Sequence, residues 1–256
     1  MKARPVLACA AAIVAAGLFP FQAQAAPAKS AHATHARDWS LVVSATPAGG
    51  FVMGNPNARV KLVEYGSMTC PHCAHFDEDS VPSLIGDYVK TGKVSWEFRN
   101  YVRDTIDVSA ALIARCGGAK RFFPLTRALF KDQSSWEKKV AATPQEELTR
   151  LETLGPDEQF VAAARIAGFQ QWAAAHGIPA ARARQCLTDA ASINRLVQMA
   201  DDTTTQFPNF PGTPSFTING TMVEFGAITA AQVWPTLESR IKSALGEQSP
   251  TNGAVH

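Results

Sequence analysis

The feature that most constrains the fold is a β-rich run that leads, through a short turn, into two cysteines at the start of a helical segment. The run "RVKLVEYGS" has the composition of a buried central strand and ends shortly before Cys70. Cys70-Pro71-His72-Cys73 comes next, and then "AHFDEDSVPSLIGDYV" has helical spacing. Pro82 is expected to kink or divide this helix. Two cysteines at the junction of a strand and a helix indicate chemistry at sulfur.

The predicted position of Cys70 favours its thiolate. Unpaired backbone N–H groups and the positive end of the helix dipole lie at a helix N-terminus, and both stabilise negative charge. Cys73 lies one turn later on the same helical face, close enough to form a disulfide with Cys70. Pro71 fixes the backbone and removes a competing donor, and His72 adds positive charge when it is protonated. A stabilised thiolate makes the disulfide of the pair a good oxidant.

Two other uses of the Cys-x-x-Cys pair stay open at this point. A structural disulfide between residues three apart closes a very small loop and constrains the unfolded chain little. A zinc site would need a second close pair of ligands. Cys116 and Cys186 are far apart in the chain and away from any histidine cluster, although His72 and His75 are near the pair. Spacing alone does not decide between redox, structural and metal-binding roles.

The first 25 residues have the pattern of a secretory signal peptide. Basic residues near the start precede an apolar run and the small residues Ala23-Gln24-Ala25, which predict cleavage after Ala25 or Ala26. The apolar run is too short for a good membrane span, so we expect an exported protein with no stable membrane insertion. The alanine-rich residues 26–38 are predicted to form a flexible leader.

Cleavage would remove Cys9 and leave four cysteines in an oxidising compartment: Cys70, Cys73, Cys116 and Cys186. Lipid attachment at Cys9 is disfavoured because hardly any apolar segment precedes it. Cys116 and Cys186 both fall on apolar faces of helical segments, and we expect a structural disulfide between them. The alternative is two buried free thiols that pack as small apolar side chains.

The charge balance argues against one class of partner. The chain has 24 basic and 22 acidic residues, a formal net charge of +2. Without the first 25 residues, which hold Lys2 and Arg4, basic and acidic residues are equal in number. No basic stretch with interleaved aromatic residues is present, so nucleic acid is not an expected partner. We also expect no metal ion and no cofactor.

The composition changes along the rest of the chain. In the first part, "KVSWEFRNYV" alternates, with Val94, Trp96 and Phe98 on one face, as in a half-buried strand. A long middle part has helical spacing punctuated by Gly and Pro, which predicts four to six helices. Strand character returns in "PSFTI" and "MVEF", linked by Asn219-Gly220 as a tight hairpin, before a final helix. The predicted divisions are 39–104, 105–207, 208–245 and a polar tail, 246–256.

The second half of the chain supplies a further motif. A Thr213-Pro214 step, in "PGTPSFTING", stands directly before a predicted strand. Together with Cys70-Pro71-His72-Cys73 after a strand and the helical stretch between the two, this step resembles the thioredoxin superfamily. The chain is more closely similar to the DsbA-like thiol–disulfide oxidoreductases, over roughly residues 60–245. The resemblance implies an α/β, thioredoxin-like fold with a helical domain inserted between the second and third core strands.

The resemblance also implies roles for particular residues. Cys70 would be the nucleophile and Cys73 the resolving cysteine, with Pro71 and His72 between them tuning the pair. Pro214 would be cis, facing the cysteines, and Thr213 would present backbone groups to a substrate strand. An X–Pro bond carries only a small cis penalty, so this is physically reasonable.

Glu64 has two readings. An acid inside "VKLVEYGS" is unusual for a buried strand, where an unpaired charge is costly. The resemblance implies a buried acid beneath the disulfide that helps Cys73 exchange its proton. Alternatively, Glu64 points to the solvent face of the sheet. The strand at Trp96 to Phe98 offers no lysine partner for a buried acid.

The function implied by the resemblance is the introduction of disulfide bonds into exported proteins by dithiol–disulfide exchange. The implied partners are unfolded or partly folded exported proteins with free thiols, and a DsbB-like membrane protein that reoxidises the pair. A reductase or isomerase of the same fold is an alternative. A non-catalytic peptide-binding module, or holdase, is another, and it would not depend on Cys70.

Overall fold

The structure is a computed structural model that describes residues 37–247. The predicted signal peptide with its cleavage site, nearly all of the predicted leader, and residues 248–256 of the predicted tail lie outside the described residues. Within the described range, no helix is both long enough and apolar enough to cross a membrane.

A mixed six-stranded sheet, in the order β1-β2-β4-β3-β5-β6, forms the centre of the fold. β3 runs parallel to β4 on one side and antiparallel to β5 on the other, so the strand that leads to Cys70 lies inside the sheet. The strands are β1 (Val43–Ala45), β2 (Phe51–Gly54), β3 (Val60–Gly66), β4 (Val94–Asn100), β5 (Ser215–Ile218) and β6 (Thr221–Met222).

Helices connect and cover these strands. A 3-10 turn, Trp39–Leu41, precedes β1, and a π-helical segment, Leu84–Val89, follows α2. The helices are α1 (Pro71–Asp79), α2 (Val81–Ser83), α3 (Thr105–Arg115), α4 (Ala119–Lys131), α5 (Gln133–Ala141), α6 (Gln145–Leu151), α7 (Pro156–Ala167), α8 (Phe169–Ala175), α9 (Ala180–Leu187), α10 (Ala190–Gln206) and α11 (Ala230–Leu245).

The expected topology is confirmed: helices α3–α10 lie between β4 and β5, the second and third of the core strands β3, β4 and β5. The prediction of four to six helices in this stretch is wrong, because eight are present. Short breaks divide runs whose periodicity looks continuous. Gly168, with φ +78°, ends α7 and begins α8 inside one such run.

The prediction that β4 is half-buried is also wrong. Ser95 and Glu97, on the face expected to meet solvent, are 4% and 9% exposed. Glu97 is held there by Arg99, whose Nε lies 2.9 Å from Oε1, and by the hydroxyl of Thr46, which donates to the same oxygen at 2.6 Å. A carboxylate that is paired and hydrogen-bonded can lie on a buried face. The alternation of polar and apolar residues therefore predicts more exposure for this face of β4 than the structure has.

The sheet packs against the helices that follow β4. The ring of Phe51 in β2 stacks on Phe122 in α4 with 4.3 Å between centroids, and Phe98 in β4 lies against the same ring. A disulfide joins Cys116, at the end of α3, to Cys186 in α9, with Cα atoms 5.6 Å apart. The aromatic contacts hold α4 against β2 and β4, and the disulfide holds α9 against the end of α3.

Candidate functional site

The candidate site lies where β3 ends and α1 begins. The chain leaves β3 at Gly66, turns, and places Cys70 at the N-cap of α1 in an extended conformation, with Pro71 at the first helical position. Proline suits that position because its missing N–H would have no helical partner and its φ is already helical. Cys70 and Cys73 are both free thiols in this structure.

The environment of Cys70 favours the thiolate. Its side chain is buried, and its Sγ lies 3.1 Å from the carbonyl oxygen of Thr213, to which it donates only as a thiol. The pKa of Cys70 is lowered to about 5, chiefly by a hydrogen bond from the Cys73 thiol and also by the Thr213 side chain and the backbone N–H groups of Cys73 and His72. Burial acts in the opposite direction. Near neutral pH Cys70 is therefore a thiolate.

The environment of Cys73 favours the thiol. This side chain is fully buried, and burial is the main cause that raises its pKa well above the ordinary value for a thiol. Its hydrogen bond to Cys70 and the negative charges of Cys70 and Glu64 raise it further. The two environments therefore favour a thiolate at Cys70, the N-cap of α1, and a thiol at Cys73, one turn later.

Glu64 points into the core, not to solvent. It is 1% exposed on β3, and the indole Nε1 of Trp96 donates to its Oε2 at 3.1 Å. Burial raises the pKa of this carboxyl well above its ordinary value, and the charge of Asp77 adds to the rise while the Trp96 hydrogen bond opposes it. A neutral carboxyl that accepts one hydrogen bond can be buried at little cost in free energy, whereas burial of an unpaired carboxylate is costly.

Asp77 connects this buried acid to the helices after β4. It lies on α1, mostly buried, with its Oδ2 3.2 Å from the Nε of Arg127 on α4. Burial raises the pKa of Asp77, and the positive Arg127 opposes that rise. The charge on Asp77 in turn disfavours a second negative charge on Glu64.

Thr213 and Pro214 lie opposite the cysteines. The peptide bond between them is cis, and the Thr213 carbonyl contacts Cys70. Ser215, the first residue of β5, donates from its hydroxyl to the carbonyl of Gly212 at 2.6 Å and closes the turn. The structure thus brings together Cys70, Cys73, Glu64, Thr213 and Pro214, which are dispersed in the sequence.

His72 and Pro71 lie at the outer surface of the site. Both side chains are exposed, and His72 meets the sulfur of Cys70 through its backbone N–H. His75, one turn further, pairs with Asp79 at 3.4 Å on the exposed face of α1. The proposed tuning by His72 therefore rests on its backbone in this geometry.

One residue at the site that sequence reasoning missed is Gln133, at the start of α5. Its side chain is buried, and its Nε2 donates to the carbonyl oxygens of Met68 at 2.7 Å and of Cys70 at 3.1 Å. A single amide therefore holds both ends of the turn before α1. The sequence carries no local signal for this contact, because Gln133 lies in a predicted helix remote from the motif.

A second missed residue is Asp107, fully buried near the start of α3. Its Oδ2 accepts from the Ser67 hydroxyl at 2.6 Å and from the Arg103 backbone N–H at 3.1 Å, and its Oδ1 accepts from the Met68 N–H at 2.7 Å. Burial raises the pKa of Asp107 to about 7, while these hydrogen bonds and Arg103 oppose the rise. Asp107 and Gln133 together fasten the turn from two helices.

The apolar side chains of Met68 and Phe210 differ in their exposure. Met68 is fully buried beneath the turn, so it offers no surface to a substrate. Phe210 is partly buried and packs its ring against Tyr65 and Tyr101. Within residues 37–247 no three His, Cys, Asp or Glu side chains come together in a way that could hold a metal ion.

The comparison with known families agrees with this geometry. The sequence model of the family described as Thioredoxin matches residues 46–239, which include both cysteines, Glu64, Thr213 and Pro214. The chain belongs to the thioredoxin family. The match covers strands β2–β6 and leaves out β1, and the fold is the thioredoxin-like fold with inserted helices that the sequence predicted.

Two curated relatives come from Rickettsia. A "Putative protein-disulfide oxidoreductase" of Rickettsia bellii is 30% identical over 174 residues, which are 68% of this chain and 58% of that protein. The protein of the same name from Rickettsia prowazekii is 30% identical over 174 residues, 68% of this chain and 55% of that protein. The matched part of this family member thus spans little more than half the length of each relative.

Solved structures show the same fold. The structure of a protein-disulfide isomerase from Novosphingobium aromaticivorans is 34% identical, with a TM-score of 0.69, and the match covers 74% of this chain and 96% of that one. The structure of α-DsbA1 from Wolbachia pipientis is 20% identical, with a TM-score of 0.59, and covers 80% of this chain and 94% of that one. The thioredoxin family member described here therefore resembles proteins of the DsbA type in fold.

Proposed function

We propose that this protein is a periplasmic, DsbA-like thiol oxidase that introduces disulfide bonds into exported proteins through Cys70 and Cys73. The observation that carries the proposal is the contrast between the two sulfurs: the pKa of Cys70 is lowered to about 5, while that of Cys73 is raised. A stabilised thiolate favours the reduced pair and makes its disulfide an oxidant. The names of the Rickettsia relatives support an oxidoreductase acting on protein disulfides.

The reaction begins with the pair oxidised. A client thiolate attacks the Sγ of Cys70, the bond between Cys70 and Cys73 breaks, and the electron pair goes to the sulfur of Cys73. Cys73 takes a proton, since burial disfavours its thiolate. Glu64, a buried acid whose raised pKa keeps it protonated, is the proposed carrier of that proton.

The second step releases the client. Another thiolate of the same client attacks the client sulfur of the mixed disulfide, and Cys70 leaves as a stabilised thiolate. The client is oxidised by two electrons, the pair is reduced by two, and of the two client protons one remains on Cys73 and one enters solvent. Thr213 is the proposed backbone partner of the client strand; its contact with Cys70 and the cis bond to Pro214 support that role.

Turnover requires an oxidant that returns Cys70 and Cys73 to the disulfide. The proposed reoxidant is a DsbB-like, quinone-linked membrane protein. Export through the N-terminal signal, with cleavage after Ala25 or Ala26, would place the protein beside both clients and reoxidant.

The reduction potential of the Cys70–Cys73 couple, measured in glutathione buffers with Cys116 and Cys186 intact, tests the proposal. A value near about −120 mV is expected of an oxidase. A value of about −230 mV or lower overturns the direction and makes the protein a reductase. Cys70→Ser should abolish the oxidation of a reduced client. If the protein were a holdase, Cys70→Ser would suppress client aggregation as well as the wild type does.

The isomerase is a second candidate, favoured by one comparison. The structure that is 34% identical to this chain is named a protein-disulfide isomerase. Recovery of activity by a client with scrambled disulfides separates the two activities. An isomerase restores the activity of the client when Cys70 and Cys73 are reduced, whereas an oxidase in the same state does not restore it.

A further inference from the structure

A groove opens beside the turn that carries Cys70, on the side of the helices after β4. It lies between the start of α3, α5 and α6, with Thr69 at its end nearest the cysteines, and we name it the α5–α6 groove. Its volume is about 420 Å³, within the range of pockets that bind small organic molecules, so it has room for one or two side chains. The proposed mechanism gives this groove no role.

The floor of the groove is apolar. Trp136, on α5, is buried with its indole Nε1 donating to the Leu129 carbonyl at 3.0 Å, so only its apolar surface is left for a ligand. The other apolar contributions come from partly or wholly buried side chains, namely Ile106, Val140, Leu148 and Leu151. An apolar concave surface of this kind gains free energy by covering an apolar side chain.

The rim of the groove is acidic. Asp104, Glu137 and Glu152 line it, and among the described residues that line it none is basic. Arg103 lies near this rim and opposes part of its charge: it lowers the pKa of Glu137. Its Nη2 donates to Thr69 at 2.8 Å and its Nε to Ser67 at 3.0 Å. Three acidic side chains against one guanidinium still leave an excess of negative charge at the rim, which attracts a cationic partner.

The groove is close to the reacting sulfur. Thr69 is the residue before Cys70, and Glu137 is near enough for the negative charge of Cys70 to raise its pKa, although burial is the main cause. An extended chain advances about 3.3 Å per residue, so a polypeptide bound at Cys70 reaches the groove within a few residues. The occupant that fits is thus part of the molecule that is reacting.

We propose that the α5–α6 groove binds the client: it takes an apolar side chain flanked by lysine or arginine, a few residues from the client's reacting cysteine. This inference rests on the proposed function and adds a preference among clients. Burial of the apolar side chain supplies affinity, and the acidic rim selects against clients that carry acidic residues at the same place. Backbone pairing at Thr213, by contrast, would not distinguish between clients, because every client has the same backbone groups.

Four peptides with one cysteine each test the inference. They carry leucine or serine, combined with lysine or glutamate, at the same distance from the cysteine. The measurement is the second-order rate constant for reaction with the oxidised protein, followed by stopped flow, with glutathione as a thiol too small to use the groove. The leucine–lysine peptide should react fastest, about threefold or more faster than the leucine–glutamate peptide, and this ratio should fall at high salt.

Two variants locate the effect. Glu152→Gln should reduce the preference for lysine, and Leu148→Gln should reduce the preference for leucine, while both leave the glutathione rate and the melting temperature near those of the wild type. Glu146→Gln is the matched control, since Glu146 is exposed on the same helix and does not line the groove. It should change neither preference.

Three results would overturn the inference or its basis. Equal rates for all four peptides, with glutathione reacting normally, would show that the groove does not bind clients. Preferences that persist in Glu152→Gln and Leu148→Gln would place the client elsewhere on the surface. Failure of every thiol, glutathione included, to react with the oxidised pair would instead refute the proposed function, and the groove proposal with it.

Discussion

Gln133 donates a hydrogen bond at 3.1 Å to the carbonyl oxygen of Cys70, a residue 63 positions earlier in the chain. The same Nε2 atom donates to the carbonyl of Met68 at 2.7 Å. The helices inserted after β4 thus bind the backbone on both sides of Thr69, and the position of the Cys70 sulfur depends on them. A cysteine at a helix N-terminus has a low pKa only if the turn before it holds the sulfur in place.

The first prediction is that Gln133→Ala destabilises the protein and weakens the thiolate. The Met68 carbonyl would lose its donor, which costs about 1–3 kcal/mol in the free energy of unfolding, while the Cys70 carbonyl still accepts from the N–H groups of Cys73 and Ala74. The looser turn should also raise the pKa of Cys70. Urea unfolding measures the first effect, and thiolate absorbance at 240 nm against pH measures the second.

Ser134→Ala serves as the control for Gln133→Ala, since Ser134 is the next residue of α5 and is exposed. It should change neither quantity by a measurable amount. If Gln133→Ala lowered stability but left the Cys70 titration where it was, Gln133 would be a packing residue with no influence on the sulfur.

The second prediction concerns the pH dependence of the reduced protein. Because the pKa of Cys70 falls from 9.0 to about 5 on folding, the folded state releases this proton more readily than the unfolded state. The resulting stability is fully present above pH 9 and is lost as the pH falls through 5. The disulfide form has no such group, so the stability of reduced relative to oxidised protein should rise between pH 5 and 9. Thermal unfolding of both forms across this range measures the difference.

If the difference in stability between reduced and oxidised protein did not change over that pH range, the lowered pKa of Cys70 would be contradicted. Cys70→Ser provides the reference, because a hydroxyl does not titrate there. The stability of Cys70→Ser should change with pH at the same rate as that of the oxidised protein.

The third prediction is that Asp107→Asn shows a pH-dependent loss of stability. At low pH the wild-type carboxyl is protonated and carries one O–H, whereas the amide carries two N–H donors. One of these would face the Arg103 N–H, so about 1–3 kcal/mol should be lost at low pH. Folding raises the pKa of Asp107 from 3.8 to about 7, so the native state of the wild type binds the proton more tightly. The wild type therefore loses stability as the pH rises from about 4 to 7, and the gap to the variant should narrow.

Urea unfolding of wild type and Asp107→Asn at pH 4 and pH 7.5 measures that gap. Asp157→Asn, a change at an exposed position in the first turn of α7, should give parallel profiles. A gap that widened with pH would mean that Asp107 is ionised throughout and held by its donors.

Local pattern was sufficient for much of the fold. The strand before Cys70, the division of the helix near Pro82 and the hairpin at Asn219-Gly220 all rest on neighbouring residues, and the structure has them. Both hairpin residues have positive φ, 51° and 87°, as a tight two-residue turn requires. The resemblance supplied the topology, because no local rule places helices α3–α10 between two strands.

Contacts between distant segments were not predictable in the same way. The alternation in β4 predicts that Glu97 faces solvent, and only the structure shows that Thr46 contacts it. Gln133 and Asp107 reach the turn from helices whose sequences carry no mark of that role. Periodicity identifies which face of a helix is apolar, but it does not say which polar side chain of that face meets a particular carbonyl.

The fourth prediction concerns Glu64 and Cys73. The charge of Glu64 contributes to the raised pKa of Cys73 after burial and Cys70. In a Cys70→Ser background, with Cys116 and Cys186 joined, Cys73 is the free thiol of the described chain. Adding Glu64→Gln should lower the pKa of Cys73, since the neighbouring group no longer becomes negative as the pH rises. Thiolate absorbance at 240 nm between pH 7 and 11 measures the shift.

An exposed acid on the same helix as Cys73 gives the control for that titration. Glu78→Gln, in the same Cys70→Ser background, should leave it unchanged. If Glu64→Gln and Glu78→Gln behaved alike, Glu64 would have no electrostatic contact with Cys73, and its proposed part in proton exchange would fail.

The fifth prediction is that the Cys116–Cys186 disulfide stabilises the fold without taking part in exchange. The bridge has a sequence separation of 70, and closing so long a loop restricts the unfolded chain strongly. Replacing both cysteines by alanine should cost about 2–4 kcal/mol in the free energy of unfolding. Because the bridge joins α3 to α9, away from α1, the rate of reaction of oxidised Cys70 with glutathione should stay within about twofold of the wild type.

Both quantities are needed to interpret that double variant. Urea unfolding gives the loss of stability, and stopped-flow kinetics with glutathione gives the reactivity, at a temperature where the variant is fully folded. A fall in reactivity of tenfold or more in folded protein would mean that the bridge and Cys70 are coupled. The stable α3 would then be required to hold Asp107, and through it Ser67 and Met68, against the turn.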